Sequence, residues 1–136
     1  MYNKKSTTIY LAAWLYYILS VHLRTQEVVM NGQVVAEVSI VPVGTSNTSV
    51  SRYVADSIQV LEDRKDLTYR LTPMGTVIEG QLDRVLEAIQ KMHEVPFIRG
   101  ALRVVTSIRI DDRRDKTSSM SAKVQSVLKL RPSIKT

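Results

Sequence analysis

The 136-residue chain has no cysteine, which removes disulfide frameworks, thiolate nucleophiles and cysteine-bound metals from consideration. Its two histidines, His22 and His93, lie far apart with no carboxylates at ligand spacing, so the pattern of a zinc centre is missing. No Ser-His-acid set or P-loop occurs, and Gly44 and Gly75 stand alone rather than in a glycine-rich motif. The expectation is a protein that is not an enzyme and holds no cofactor. Aromatic residues are scarce beyond residue 29, where Tyr53, Tyr69 and Phe97 are all that remain. Long apolar runs are also missing. Ile9–Leu23 is mostly apolar over 15 residues, short of the ~20 that cross a bilayer.

What is present describes one domain of ordinary size with one modest core. A hydrophobic content of 44% and a charged content of 24% are those of a globular protein. The net charge of +6 is uneven: residues 99–136 carry ten basic and three acidic side chains, whereas residues 30–98 carry six basic and nine acidic. A basic tail of this kind is most often a solvated surface. Residues 1–29 differ from the rest and hold five of the eight aromatics, Tyr2, Tyr10, Trp14, Tyr16 and Tyr17. Lys4-Lys5 ahead of the apolar stretch is like the start of a signal peptide, but Ser20-Val21-His22 makes a poor cleavage site. Two readings follow for residues 1–29: an extension ahead of the working domain, or an anchor or targeting peptide. The domain proper is expected over 30–136 and in the cytoplasm, with a membrane contact only if residues 9–23 tether the chain.

From Gln33 to Val43, Val34, Ala36, Val38 and Ile40 alternate with Val35, Glu37, Ser39 and Val41, the period of a strand with one apolar face. Pro42 and Gly44 end it. The hydroxyl-rich loop Thr45–Ser51 offers several N-caps to a helix carrying Val50, Tyr53, Val54, Ser57, Ile58 and Leu61 on one face. Thr68–Gly80 then reads as two strands joined at Pro73-Met74-Gly75, a proline-first, glycine-last turn. A second amphipathic helix presents Leu82, Val85, Leu86, Ile89 and Met92, with Glu87 and Lys91 paired outside and His93 packed near its end. Pro96 is expected to kink or stop it. A last strand over Leu102–Asp111 leads into the charge run Asp111–Lys116, and Met120, Val124, Val127 and Leu128 recur at helical spacing.

The order strand, helix, strand, strand, helix, strand is the ferredoxin-like βαββαβ arrangement, an α+β fold with a C-terminal helix added. Both central helices cover one face of a four-stranded antiparallel sheet. The other face would show Glu37, Ser39, Val41, Thr72, Arg103, Val105, Ser107 and Arg109, too apolar for open water and too polar for a sealed core. A face shared with another copy of the chain fits that mixture, so a homodimer or homotetramer is expected. The turn region adds Thr72, Met74, Thr76 and Glu79, hydroxyls beside a flexible thioether, which suits the lining of a small-ligand pocket.

The blocks VVAEVSIVPVGT, LTPMGTVIEG and RVVTSIRIDDRRDK, with the following KVQSV, resemble the small thiamine-binding proteins that also recognise hydroxymethylpyrimidine. The resemblance runs from about Val34 to Leu128 and does not reach residues 1–29. It implies a ferredoxin-like fold, self-association through the sheets, and binding of thiamine or hydroxymethylpyrimidine without catalysis. Thiamine joins an aminopyrimidine to a cationic thiazolium. Glu37 or Glu79 could accept from the amine, and Ser39, Thr45, Thr72 and Thr76 could serve the ring nitrogens, while Met74 and Gly75 border the rings. Arg109 suits an ion pair with Glu37 or Asp111. The competing reading is a nucleic-acid binder of the RNA-recognition type. It lacks the aromatic platforms and the K/R-G-F/Y motif that such a sheet needs, so no nucleic acid is expected. A regulatory oligomer without a ligand is the other alternative.

Overall fold

A computed structural model describes residues 13–19 and 32–134. The chain divides into two compact units, Met1–Asn31 and Gly32–Thr136. In the first, residues 13–19 are helical. The Lys4-Lys5 pair, the Ser20-Val21-His22 site and most of Ile9–Leu23 lie outside the described residues. Among the described residues, no helix is long and apolar enough to cross a membrane.

The second unit runs β1 (Gln33–Pro42), α1 (Ser51–Glu62), β2 (Thr68–Thr72), β3 (Gly75–Gln81), α2 (Leu82–Ile98), β4 (Val104–Asp112) and α3 (Met120–Leu130). The four strands form one antiparallel sheet in the order β2-β3-β1-β4. This is the ferredoxin-like α+β fold that the sequence implied. β1 is central because both β3 and β4 pair along it, and its alternation sets the register. Val34, Ala36 and Val38 stand opposite Gly80, Ile78 and Thr76 of β3, and all six are buried on the helix side. Leu61 of α1 and Val85, Ala88, Ile89 and Met92 of α2 close the core above them. Each large side chain so buried contributes roughly 1.5–3 kcal/mol of transfer free energy.

Two helix ends depart from the sequence reading. Pro96 neither stops nor breaks α2, which continues to Ile98 with the proline inside. Proline has no N–H for the carbonyl four residues back, and here that carbonyl, Met92 O, accepts instead from the buried Ser57 hydroxyl of α1 at 3.3 Å. A hydroxyl on one helix thus repairs a bond missing from its neighbour. Gly100, at φ +89°, then turns the chain out. At the start of α1 the N-cap is Val50, without a side-chain cap. The hydroxyl-rich loop bonds within itself: Thr45 Oγ1 donates to Asn47 O at 2.7 Å, and Asn47 Oδ1 accepts from Ser49 N–H at 2.8 Å.

Charged groups fasten the connections. Arg64 donates to Asp66 at 2.8 Å and reaches Glu87 of α2 at 3.4 Å, tying the α1–β2 link to the second helix. The Arg64 hydrogen bond holds the Asp66 carboxyl down at about 2. Glu87 is held below the usual carboxylate range chiefly by its hydrogen bond from Lys91, at 2.7 Å. His93 packs as expected, its Nδ1 2.7 Å from Thr106 Oγ1 and its ring edge-on to Phe97. The helix α3 is capped by Ser119, whose hydroxyl accepts from Ala122 N–H. It is fastened to the sheet by Glu79, which accepts from Met120 N–H at 2.7 Å, and by the pair Lys123–Asp111. Glu79 and Asp111 both stand opposite Val35, so α3 is held at that end of the face away from α1 and α2.

Candidate functional site

The site begins with unequal strands. β1 stays paired with β4 as far as Pro42↔Val104, whereas its pairing with β3 ends four residues earlier at Val38↔Thr76. The reason is the β2–β3 turn, where Thr72 already pairs with Gly75 across a two-residue loop, Pro73-Met74. Thr72 locks that turn by donating to Gly75 O at 2.8 Å and accepting from Gly75 N–H at 3.2 Å. Gly75 must be glycine for another reason: a β-carbon there would come within 2.8 Å of the Val38 carbonyl oxygen. Chain reversal thus happens early and tightly, and the end of β1 overhangs.

The gap left beside the overhang is a cavity of about 290 Å³. That is near the lower end of small-molecule pockets, which run roughly 300–1,000 Å³. Val38, Ile40 and Thr76 form its floor on the helix side of the sheet. Val50, just ahead of α1, and Val54, Ser57 and Ile58 of α1 form one wall, Met92 of α2 closes it, and the segment Leu71–Gly75 makes the rim. Its lining contains no charged side chain. What it offers is a slot of aliphatic and thioether surface with hydroxyls at Ser57 and Thr76, and Met74, 82% exposed, at the mouth. Such a lining suits a flat, uncharged heterocycle better than an anion, and it contains no acid or base placed for chemistry. Among the described residues, no group of three or more His, Asp or Glu side chains could hold a metal ion.

The structure separates the residues singled out from sequence. Ser39, Thr72, Met74, Gly75 and Thr76 all border the cavity. Glu37, Thr45 and Glu79 do not. Glu37 lies on the face away from α1 and α2 and pairs with Arg109 at 3.2 Å, while Glu79 holds the start of α3 and Thr45 belongs to its own loop. The cavity therefore lies across the sheet from the face on which sequence reasoning placed a ligand. That open face carries Val41 and Val105, 42% and 45% exposed, around Ser39 and Ser107. Arg103, expected on it, precedes β4. Tyr69 stands opposite Ile78 on the helix side, so it offers no stacking platform on the open face. The missed lining residues include Val38, Ile40, Val54, Ser57 and Met92. Each read as core by periodicity, and nothing in that periodicity distinguishes a wall from a core.

Comparison with known proteins agrees with this architecture. The family model described as "Thiamine-binding protein" matches residues 36–128. The UPF0045 protein YqgV of Bacillus subtilis (strain 168) is 49% identical over 98 residues, 70% of this chain and 94% of that protein. A UPF0045 protein of Staphylococcus xylosus is 47% identical over 98 residues, covering 70% of this chain and 92% of its own length. Among solved structures, protein MJ1052 of Methanocaldococcus jannaschii superposes with a TM-score of 0.64 at 41% identity, over 71% of this chain and 96% of that one. A Thermotoga maritima protein named for thiamine biosynthesis and salvage superposes with a TM-score of 0.58. At 17% identity, over 70% of this chain and 98% of its own, it shares the fold.

Proposed function

Because this chain belongs to the thiamine-binding protein family, we propose that it binds thiamine or its hydroxymethylpyrimidine half without catalysis. The site is the cavity between α1 and the Thr72–Thr76 turn. The observation that carries this reading is the uncharged lining of hydroxyls and thioethers around a space of about 290 Å³. The aminopyrimidine enters that space edge-first, with the Thr76 hydroxyl at one of its polar positions. The thiazolium of intact thiamine stays at the mouth beside Met74, because a permanent cation gains nothing from a lining without a carboxylate.

Titration calorimetry of the full chain with thiamine and with hydroxymethylpyrimidine tests the function. Saturable binding of at least one, with the ligand recovered unchanged, is expected; binding of neither would refute the proposal. The open face supplies a second element. Val41 and Val105 are neighbours across β1 and β4, flanked by Ser39 and Ser107 and by the Glu37–Arg109 pair. We propose that this face joins two copies of the chain, and light scattering that finds a monomer at micromolar concentration would rule it out.

A further inference from the structure

We infer that the cavity reads its ligand through main chain: the Ile40 N–H and C=O, with the Thr76 hydroxyl beside them, recognise the donor–acceptor edge of an uncharged 4-aminopyrimidine. This rests on the pyrimidine-binding proposal above and specifies its chemistry.

In an antiparallel strand the N–H and C=O of one residue point to the same side, and successive residues alternate sides. Val43 N–H donates to Arg103 O at 2.8 Å, on the β4 side. By alternation Val41 and Ser39 also face β4, while Ile40 and Val38 face β3. The Val38 carbonyl confirms the phase, since it is the atom that a β-carbon on Gly75 of β3 would strike. The ladder between β1 and β3 ends at Val38↔Thr76. Ile40 is the next residue aimed to that side, and no strand stands opposite it. Ile40 lines the cavity, and its N–H and C=O are an adjacent donor and acceptor without a ladder partner in β3. Main-chain groups withdrawn from water are rarely left unpaired.

Thr76 supplies the second, independent observation. It is 4% exposed, it lies on the helix side between Val38 and Leu71, and it borders the cavity. No hydrogen bond joins its hydroxyl to any group among the described residues. The other hydroxyls nearby are engaged: Thr72 in its turn and Ser57 as donor to Met92 O. A hydroxyl without a partner, on a buried residue, and a strand residue without a ladder partner thus line the same uncharged space.

A 4-aminopyrimidine carries an exocyclic N–H₂ donor next to a ring-nitrogen acceptor. The amine donates to Ile40 O and the ring nitrogen accepts from Ile40 N–H, so the heterocycle takes the place of the strand that β3 does not extend. Thr76 Oγ1 serves the remaining polar position of the ring or its hydroxymethyl group. The 4-oxo analogue reverses the edge, setting a carbonyl against Ile40 O and an N–H against Ile40 N–H. A phosphorylated pyrimidine brings a dianion to a lining with no cation to receive it.

The test is calorimetric titration of the full chain with hydroxymethylpyrimidine, its 4-oxo analogue and its phosphate ester, repeated on Thr76→Val and Thr76→Ser. Binding of the amino compound at least about a hundredfold tighter than the oxo compound is expected, as buried groups left mispaired produce. The phosphate ester should bind about tenfold more weakly or worse, and Thr76→Val should lose about tenfold while Thr76→Ser retains most of the affinity. Equal affinity for amino and oxo compounds would overturn the inference and leave the binding function standing. So would a phosphate ester that binds as tightly as the free pyrimidine, or a folded Thr76→Val that matches the parent. Failure of every pyrimidine would remove both the function and the inference. If Thr76→Val does not fold, the three-ligand comparison on the parent decides by itself.

Discussion

Ile78→Ala is expected to lower the unfolding free energy of the full chain by about 2–5 kcal/mol, the range for emptying a well-packed site. Ile78 is 0% exposed and sits midway along β3, opposite Ala36 on one side and Tyr69 on the other. Alanine at position 36 means the neighbouring strand has no large side chain to move into the space. The sheet backbone beneath is fixed by ladders on both sides, so the void cannot collapse. Equilibrium urea unfolding followed by circular dichroism reads the change as a lower midpoint at similar slope. A loss below about 1 kcal/mol would mean that the core is not centred on this residue.

Val54→Trp is expected to weaken pyrimidine binding by about a hundredfold, equivalent to about 2.8 kcal/mol. Val54 is a half-buried residue of α1 that lines the cavity. Because it is not sealed in the core, the larger ring can be accommodated by the space the ligand would use. The melt should therefore stay close to that of the parent while the affinity falls. Glu37→Gln and Glu79→Gln provide the contrast. Both carboxylates have partners of their own outside the cavity, Arg109 and the Met120 N–H, and calorimetry should find parental affinity in each. Val54→Trp binding as well as the parent, with either glutamine variant impaired, would place the ligand on the open face instead.

The fold was legible because its signals are local and periodic. Alternation from Val34 to Ile40 gives β1 and its buried face, and Pro73 with Gly75 marks the reversal between β2 and β3. The helix faces follow from residues such as Leu61, Val85 and Ile89. The helix ends were less legible because their solutions are tertiary. Pro96 stays inside α2 because Ser57, 39 positions earlier in the sequence, donates to the carbonyl that the proline leaves free. Val50 precedes α1 uncapped because Asn47 holds Ser49 within the loop.

The site was half legible for a related reason. Thr72, Met74, Gly75 and Thr76 were drawn from the turn, and the cavity does border that turn. Alternation alone also puts Thr76 in phase with Ile78, on the helix side rather than the open face. What alternation cannot supply is strand length measured against a partner. The cavity exists because β3 begins only at Gly75 while β1 continues to Pro42, and the group left without a ladder partner is the main chain of Ile40, which side-chain reading does not see. The carboxylates drew attention because an amine needs an acceptor. Glu37 and Glu79 have structural partners, and a carbonyl can do the same work.

The central claim is that the ligand occupies the space between α1 and the sheet. Amide chemical-shift mapping of the full chain during titration with hydroxymethylpyrimidine tests it most directly. The account predicts the largest changes at Ile40, Val54, Ser57 and Met74–Thr76, with Val35, Glu37, Ser107 and Arg109 little affected. Changes centred on those open-face residues, or none at all at saturating ligand, would contradict it.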